Sequence, residues 1–166
     1  MAAAALIMAL GACAGTASKQ SYPPYSKGAP DSTIPAPAAR PSSQRDLMVN
    51  LAMSQLGQPY RFGGAAPGGF DCSGLVAYAA NGAGIHVPRT ALEQAGSGKP
   101  VARGEVRGGD LVFMHLAHKE LHVGIAIDSA RFIHAPSKGG YIRIDSLAAT
   151  PYSRGYLSAR RLIGAP

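Results

Sequence analysis

The spacing of apolar residues from Ser43 onward is typical of an amphipathic helix, and it marks where the folded part of the chain begins. Ser43 and Asp46 stand at the spacing of a capping box, in which side chains satisfy the open N–H groups of a first helical turn. Gly57 and Pro59 then end the pattern, because both residue types disfavour a helix interior. The apolar positions of this helix are Leu47, Met48, Leu51, Ala52, Met53 and Leu56.

Two more helices are predicted before residue 100. One runs from residue 72 to residue 82, with Asp71 as its N-cap and a glycine at its end. A short third helix begins at Thr90, where Glu93 completes a second capping box.

From residue 110 the pattern changes to short β-prone runs separated by turns, as in an antiparallel sheet. The runs occupy residues 110–115, 122–127, 131–135, 141–144 and 158–163. Helices first and strands afterwards predict an α+β domain, with N-terminal helices packed on a central antiparallel sheet.

The first 12 residues are almost wholly apolar and uncharged, which is typical of the core of an export signal. They end in Leu10-Gly11-Ala12-Cys13, which resembles the cleavage motif of bacterial lipoproteins and predicts a signal peptide over 1–12 with a lipid on Cys13. A buried strand ending in an ordinary core cysteine is the alternative. Because export signals open with Lys or Arg and this one does not, we expect the true start to lie upstream.

Residues 13–41 are predicted to form a flexible linker behind that lipidated cysteine. Six prolines stand among small and polar residues after position 14, so the segment buries too little apolar surface to fold. Residues 42–166 then form the folded domain. Ala14 fits the pattern of outer-membrane sorting, so we expect a lipid-anchored protein of the cell envelope that faces the periplasm from the outer membrane.

Composition excludes several classes of protein. With 46% hydrophobic and 15% charged residues, the chain is neither a disordered polar tail nor a coiled coil. Two cysteines exclude a disulfide framework. The net charge is +7, but basic residues form no block and tryptophan is absent, so we expect no nucleic-acid partner.

Cys72 is the candidate nucleophile. It stands at the predicted start of a helix, after the glycine-rich stretch 63–69, and helix N-terminal N–H groups favour a thiolate over a thiol. The glycines are interpreted as letting the chain bend tightly before Cys72. A buried, inert cysteine is the alternative.

His122 and His134 stand in successive β-runs, 12 residues apart. In a hairpin that places them opposite each other, both side chains emerge on one face of the sheet, beside Gly124 and Ala126. We expect those small residues to leave room for the helix that carries Cys72. His122 would then take the thiol proton, and His134 would orient the His122 ring.

Six motifs stand in order along the chain: GQPYRFGG around Tyr60, FDCSGLV around Cys72, VPRT at 87–90, GGDLVF before 114, HVGIAI at His122 and RFIHA at His134. These motifs resemble those of the NlpC/P60 cysteine peptidases, over roughly residues 43–163. The resemblance implies a compact papain-like α+β fold that hydrolyses stem peptides of peptidoglycan, at the D-γ-glutamyl-diaminopimelate bond or at the D-Ala-diaminopimelate cross-links. It also implies a nucleophile, a base and an orienting residue in Cys72, His122 and His134. By the same resemblance Tyr60 lies near the oxyanion site, and Asp71, Ser73 and Arg89 line the substrate cleft.

Several alternatives stay open at this point. Tyr60 is also compatible with plain packing at a core edge, and Arg89 with a solvated surface charge. His115, His118 and His122 form a weak candidate metal site, as do Cys72, His122 and His134. We expect no metal and no organic cofactor, and a chain that acts as a monomer.

Other functions also stay open. Met114 stands where the family commonly has an aromatic residue, and the loop that follows it is idiosyncratic, which leaves the shape of the cleft open. The alternatives to a wall peptidase are a catalytically silent relative that binds wall peptides or a partner protein, and the same thiol chemistry on another amide or acyl substrate.

Overall fold

A computed structural model describes residues 43–117, 119–137 and 139–162 of the chain. The signal peptide predicted over 1–12, the linker predicted over 13–41, and both Cys13 and His118 lie outside the described residues. Within the described ranges, no helix is long and apolar enough to cross a membrane.

The first helix, α1, begins at Gln44, directly after the predicted cap Ser43. It ends at Met53, three residues before Leu56. The Ser43 side chain accepts a hydrogen bond from the Asp46 N–H at 3.2 Å, which caps the helix. We predicted an apolar face that continues to Leu56, which is wrong, since Leu56 is 43% exposed. The physical reason is Gly57, whose N–H donates to the carbonyl of Ile142 at 2.9 Å instead of continuing the helix.

The other two predicted helices, α2 and α3, are confirmed with their caps. Asp71 accepts from the Gly74 N–H, and Thr90 forms a capping box with Glu93. The bounds of the described elements, in chain order, are α1 Gln44–Met53, β1 Ala65–Ala66, β2 Gly69–Phe70, α2 Cys72–Gly82, α3 Ala91–Ala95, β3 Lys99–Val101, a 3₁₀ turn Arg103–Glu105, β4 Leu111–Leu116, β5 Lys119–Ala126, β6 Arg131–His134, β7 Arg143–Ser146, α4 Tyr152–Gly155 and β8 Tyr156–Arg161.

Six strands form one sheet in the order β3-β8-β4-β5-β6-β7, and its neighbours pair antiparallel as predicted. The five predicted runs correspond to β4 through β8, although β7 lies two residues further along than 141–144. The hairpin β1–β2, strand β3 and helix α4 were not predicted, because runs of two to four residues carry too little periodicity.

Apolar side chains pack on both faces of this sheet. One cluster joins α1 and α2 to the sheet through residues that include Leu75, Val123 and Ile125. A second cluster on the other face includes Met114, Phe132 and Tyr152. Apolar side chains therefore cover both faces of the sheet, and α2 packs on one of them.

The face on which α2 packs differs from our expectation. We predicted that Gly124 and Ala126 would leave room for the helix of Cys72, which is wrong, since α2 shares its cluster with Val123 and Ile125. The space at Gly124 is filled from the next strand, because a Cβ placed there would lie 2.5 Å from the ring of Phe132.

A buried aspartate ties the helix layer to the sheet. Asp110, just before β4, is fully buried and accepts two hydrogen bonds of 2.8 Å from the guanidinium of Arg161 in β8. Arg45 in α1 contacts the same carboxylate at 3.3 Å. A buried carboxylate is stable only when it is paired in this way, so the pairs fix α1 against the sheet.

Candidate active site

Cys72 is the first residue of α2 and lines an open pocket. The residue is 7% exposed and its thiol forms no disulfide. The pocket has a volume of about 390 Å³. It is lined by Tyr60, Phe62, Asp71, Cys72, Ser73, Ala91, Leu92 and Leu121. Cys72 therefore lines a surface depression, whereas the larger cavity near the start of α1 is lined by no cysteine or histidine.

The glycine-rich stretch before Cys72 bends as predicted. Gly63 has a φ of +75°, and Gly64 presents its carbonyl to the Asp71 N–H at 3.0 Å. A Cβ at Gly74 would lie 2.0 Å from that same carbonyl, so the loop and the first turn of α2 approach as closely as two backbones can. The glycines therefore place Cys72 by allowing close packing.

Asp71 holds this turn together through its carboxylate. It accepts from the N–H of Gly74 at 2.6 Å and of Gly63 at 2.9 Å, and from both terminal nitrogens of Arg89 at 3.0 and 2.7 Å. Burial raises the pKa of Asp71, but the hydrogen bonds from Arg89, Gly74 and Gly63 outweigh it and hold that pKa below its usual value. The group is therefore a carboxylate at neutral pH.

Arg89 extends the same hydrogen-bond network to Ser73. One of its nitrogens donates to the Ser73 hydroxyl at 3.0 Å. The pKa of Arg89 is raised, first by its hydrogen bond to Asp71 and to a smaller degree by the charge of Cys72. Arg89 is thus more than a solvated surface charge. Contact of Asp71, Ser73 or Arg89 with a substrate stays a prediction.

Tyr60 lines the Cys72 pocket and also packs against the core cluster beneath α2. Its backbone is fixed, since its N–H donates to the Gly140 carbonyl at 2.8 Å and the residue bridges to Phe70. Both interpretations of Tyr60, a group at the oxyanion and a residue at the core edge, are compatible with this position. Its catalytic contribution stays a prediction.

The two histidines share one face of the sheet and are hydrogen-bonded. Nε2 of His122 lies 2.8 Å from Nδ1 of His134, and both side chains are fully buried. The pairing of Ala126 with Phe132 sets the register, which places His134 opposite Gly124 and two positions from His122. The shared face is confirmed, but the directly opposite register was wrong, and the rings meet on the diagonal.

A third member of this chain, Asp145, was missed from the sequence. Its Oδ2 accepts from His134 Nε2 at 2.9 Å, from Tyr152 at 2.5 Å and from Arg143 Nε at 2.8 Å. The predicted strand stopped at Ile144, one residue short. Extending the alternation by that one residue places Asp145 on the face of His134, opposite Phe132.

The electrostatics of Asp145 resemble those of Asp71. Burial raises the pKa of Asp145, but hydrogen bonds from Tyr152, Arg143 and His134 outweigh it and hold that pKa below its usual value. A carboxylate only accepts hydrogen bonds, so Nε2 of His134 donates and its Nδ1 accepts from Nε2 of His122. In the neutral His122 ring the proton is therefore on Nε2 and the lone pair is on Nδ1, the nitrogen that does not face His134.

Leu121 links the two halves of the site. It lines the pocket of Cys72 and directly precedes His122 in β5. The strand that carries the predicted base therefore borders the pocket of Cys72. The roles of Cys72, His122 and His134 stay predictions.

Two metal sites were considered from the sequence, His115–His118–His122 and Cys72–His122–His134, and only the second lies wholly within the described residues. In the part of the chain that the structure describes, no group of three or more His, Cys, Asp or Glu residues is placed to hold a metal ion. His118 lies outside that part, and both ring nitrogens of His134 are engaged by His122 and Asp145.

Comparison with known proteins gives consistent matches. Residues 57–161 match the NlpC/P60 family. The chain is 41% identical over 123 residues to murein DD-endopeptidase MepH of Escherichia coli, covering 70% of this chain and 45% of that protein. It is 32% identical over 130 residues to gamma-D-glutamyl-L-lysine dipeptidyl-peptidase of Bacillus subtilis, covering 75% and 43%.

Solved structures match the fold as well. An NlpC/P60 family protein from Bacillus cereus superposes with a TM-score of 0.68 at 30% identity, covering 72% of this chain and 40% of that one. The predicted α+β fold, with helices on a central antiparallel sheet, is confirmed. The chain spans less than half the length of these three proteins.

Proposed function

Because the chain belongs to the NlpC/P60 family, we propose that it is a cysteine endopeptidase that hydrolyses amide bonds in peptidoglycan stem peptides or their cross-links. The names of two relatives, a murein DD-endopeptidase and a gamma-D-glutamyl-L-lysine dipeptidyl-peptidase, support this substrate class. The observation that carries the proposal is the chain His122–His134–Asp145, which ends at the strand bordering the pocket of Cys72.

The first step is proton transfer from the Cys72 thiol to Nδ1 of His122. The N-terminus of α2 and the nearby guanidinium of Arg89 stabilise the resulting thiolate. The positive charge on the His122 ring faces His134 and, beyond it, the carboxylate of Asp145. The two new charges are therefore each met by an opposite charge.

The second step forms and resolves an acyl-enzyme. The thiolate attacks the scissile carbonyl, and backbone N–H groups at the start of α2, with the Tyr60 hydroxyl, stabilise the oxyanion. His122 returns its proton to the leaving amine as the C–N bond breaks. Water then attacks the thioester, gives a proton to His122 and releases the carboxylic acid and the thiol.

We place this activity in the cell envelope, where its substrate lies. The lipid on Cys13 and the linker over 14–41 would tether the domain, with an outer-membrane anchor facing the periplasm and the chain acting as a monomer. The net charge of +7 favours contact with an anionic wall.

Digestion of purified sacculi, followed by mass spectrometry of the released muropeptides, tests the proposal and identifies the bond. Cys72→Ala and His122→Ala should release no product above the blank, and His134→Ala should slow release less than His122→Ala. His86→Ala is the matched control, because His86 is exposed and outside the site, and it should cleave at the wild-type rate. Turnover retained by folded Cys72→Ala, or binding without turnover by the wild type, would reject the peptidase.

A further inference from the structure

Asp145 sits where three hydrogen-bond donors from three elements converge. His134 in β6, Arg143 in β7 and Tyr152 in α4 all donate to its Oδ2, at 2.5 to 2.9 Å. We propose that Asp145 is a positioning residue, which acts through His134 to set the protonation pattern and charge of the His122 ring. The inference rests on the proposed function, because it assigns a role within the same site.

The first argument concerns the direction of the hydrogen bonds. A neutral imidazole has one donor and one acceptor nitrogen, so whatever Nε2 of His134 does, its Nδ1 does the opposite. The carboxylate can only accept, which makes Nε2 of His134 the donor and Nδ1 the acceptor. His122 must then donate from Nε2, and its other nitrogen carries the lone pair that a base needs. Without Asp145 the opposite pattern is equally allowed, and it would leave a proton on the nitrogen that should receive one.

The second argument concerns charge. When His122 takes a proton, both rings are buried and water cannot solvate the new charge. The Asp145 carboxylate, one ring away, is the anion that faces that charge along the hydrogen-bonded chain. Two further groups, Arg143 and Tyr152, contact the Asp145 carboxylate directly. The other charged pair of the site, Arg89 with Asp71, lies near Cys72.

A purely structural role for Asp145 is distinguishable by its other contacts. Tyr152 is buried in the second core cluster, so its bond to Asp145 holds α4 to β7 whether or not the histidines matter. Arg143 is different, because its side chain is 53% exposed and it partly neutralises the carboxylate. These two residues therefore supply a structural control and an electrostatic one.

The readout is the pH dependence of Cys72 alkylation by iodoacetamide in the full chain, with Cys13→Ala so that one thiol remains. Asp145→Asn should move the midpoint of this profile upward by about one pH unit. It should also lower kcat/KM on muropeptides by about 10–100-fold, with KM little changed. Tyr152→Phe keeps both the carboxylate and the His134–Asp145 bond, so its midpoint should not move upward as that of Asp145→Asn does.

Arg143→Gln supplies a second test with the opposite sign. It keeps the carboxylate and removes a neighbouring cation, so the midpoint should move to lower pH. This variant remains informative if Asp145→Asn does not fold, which circular dichroism would show. An unchanged midpoint in folded Asp145→Asn, or an upward or absent shift in Arg143→Gln, overturns the inference.

Failure of the proposed function would look different. In that case the wild-type thiol itself would react with the profile of an ordinary cysteine, with a midpoint near about 8.5, and sacculi would stay intact. A low wild-type midpoint that neither variant moves would instead leave the peptidase standing and remove Asp145 from its mechanism.

Discussion

Asp71→Asn is the substitution that tests most directly how the turn before Cys72 is held in place. Asparagine caps helices about as well as aspartate, so the bond to the Gly74 N–H is kept. The substitution removes the charged pair with Arg89. Hydrogen bonds to charged groups contribute about 1.5–3 kcal/mol, and the lower value of about 1.5 kcal/mol applies here because solvent screens an Arg89 side chain that is 40% exposed. The new NH₂ group replaces Oδ2, which accepts from Arg89 at 2.7 Å and from the Gly63 N–H at 2.9 Å. The Gly63 N–H therefore also loses its acceptor, at a cost of about 1–2 kcal/mol.

The expected loss at pH 7 is therefore about 2–4 kcal/mol in the free energy of unfolding, measured by urea titration followed by circular dichroism. The pH dependence carries a definite sign. The pKa of Asp71 is below its ordinary value of 3.8, so its contribution is fully present above that pH and is lost as the pH falls through the lower, folded-state value. The gap between wild type and Asp71→Asn should consequently close as the solution is acidified below 3.8.

Asp128→Asn is the matched control for this experiment. Asp128 also has a pKa below its usual value, first because of the Ala130 N–H bond, but it lies in the exposed turn between β5 and β6. Its replacement should cost much less stability than that of Asp71. A loss under about 0.5 kcal/mol for Asp71→Asn, the range of ordinary surface changes, would refute the assignment of Asp71 as the residue that holds this turn, as would a gap that does not narrow in acid.

Two glycine substitutions test the close approaches around the site. In Gly74→Ala the new Cβ would lie 2.0 Å from the Gly64 carbonyl oxygen. Unfolding experiments should show a loss of about 1–3 kcal/mol in the free energy of unfolding, although alanine has the better helix propensity. A gain in stability would contradict this close packing. In Gly124→Ala the new Cβ would lie 2.5 Å from the ring of Phe132 and 3.2 Å from Cβ of His134. Both the free energy of unfolding and kcat/KM on muropeptides should therefore fall. Unchanged kinetics would show that His134 tolerates displacement.

The sequence predicted the part of the site that depends on local signals. A capping aspartate, a helix of small and apolar residues, and glycines before Cys72 each act within a few residues, and α2 begins at Cys72 as predicted. Even spacing puts His122 and His134 on one face only when the hairpin register is also right, and the pairing of Ala126 with Phe132 supplies that register. These predictions are confirmed.

What the sequence did not reveal depends on tertiary packing. Residues 123–127 alternate between β-branched and small side chains, and apolar side chains cover both faces of the sheet, so the sequence pattern did not tell which face α2 packs on. Asp145 was missed for a related reason. Its contact with His134 joins two neighbouring strands, and the pattern of one strand does not show which residues lie beside it on the next. The predictions for residues 1–41 lie outside the described residues and stay predictions.

Phe62 and Leu92 border the pocket of Cys72 while being 94% and 77% exposed. Neither side chain supports the interior, so replacing one with a polar or a bulkier residue remodels the rim at little energetic cost. If the chain is the peptidase proposed above, the bond it selects can change through substitutions at this rim, while Cys72 and the two histidines stay unchanged.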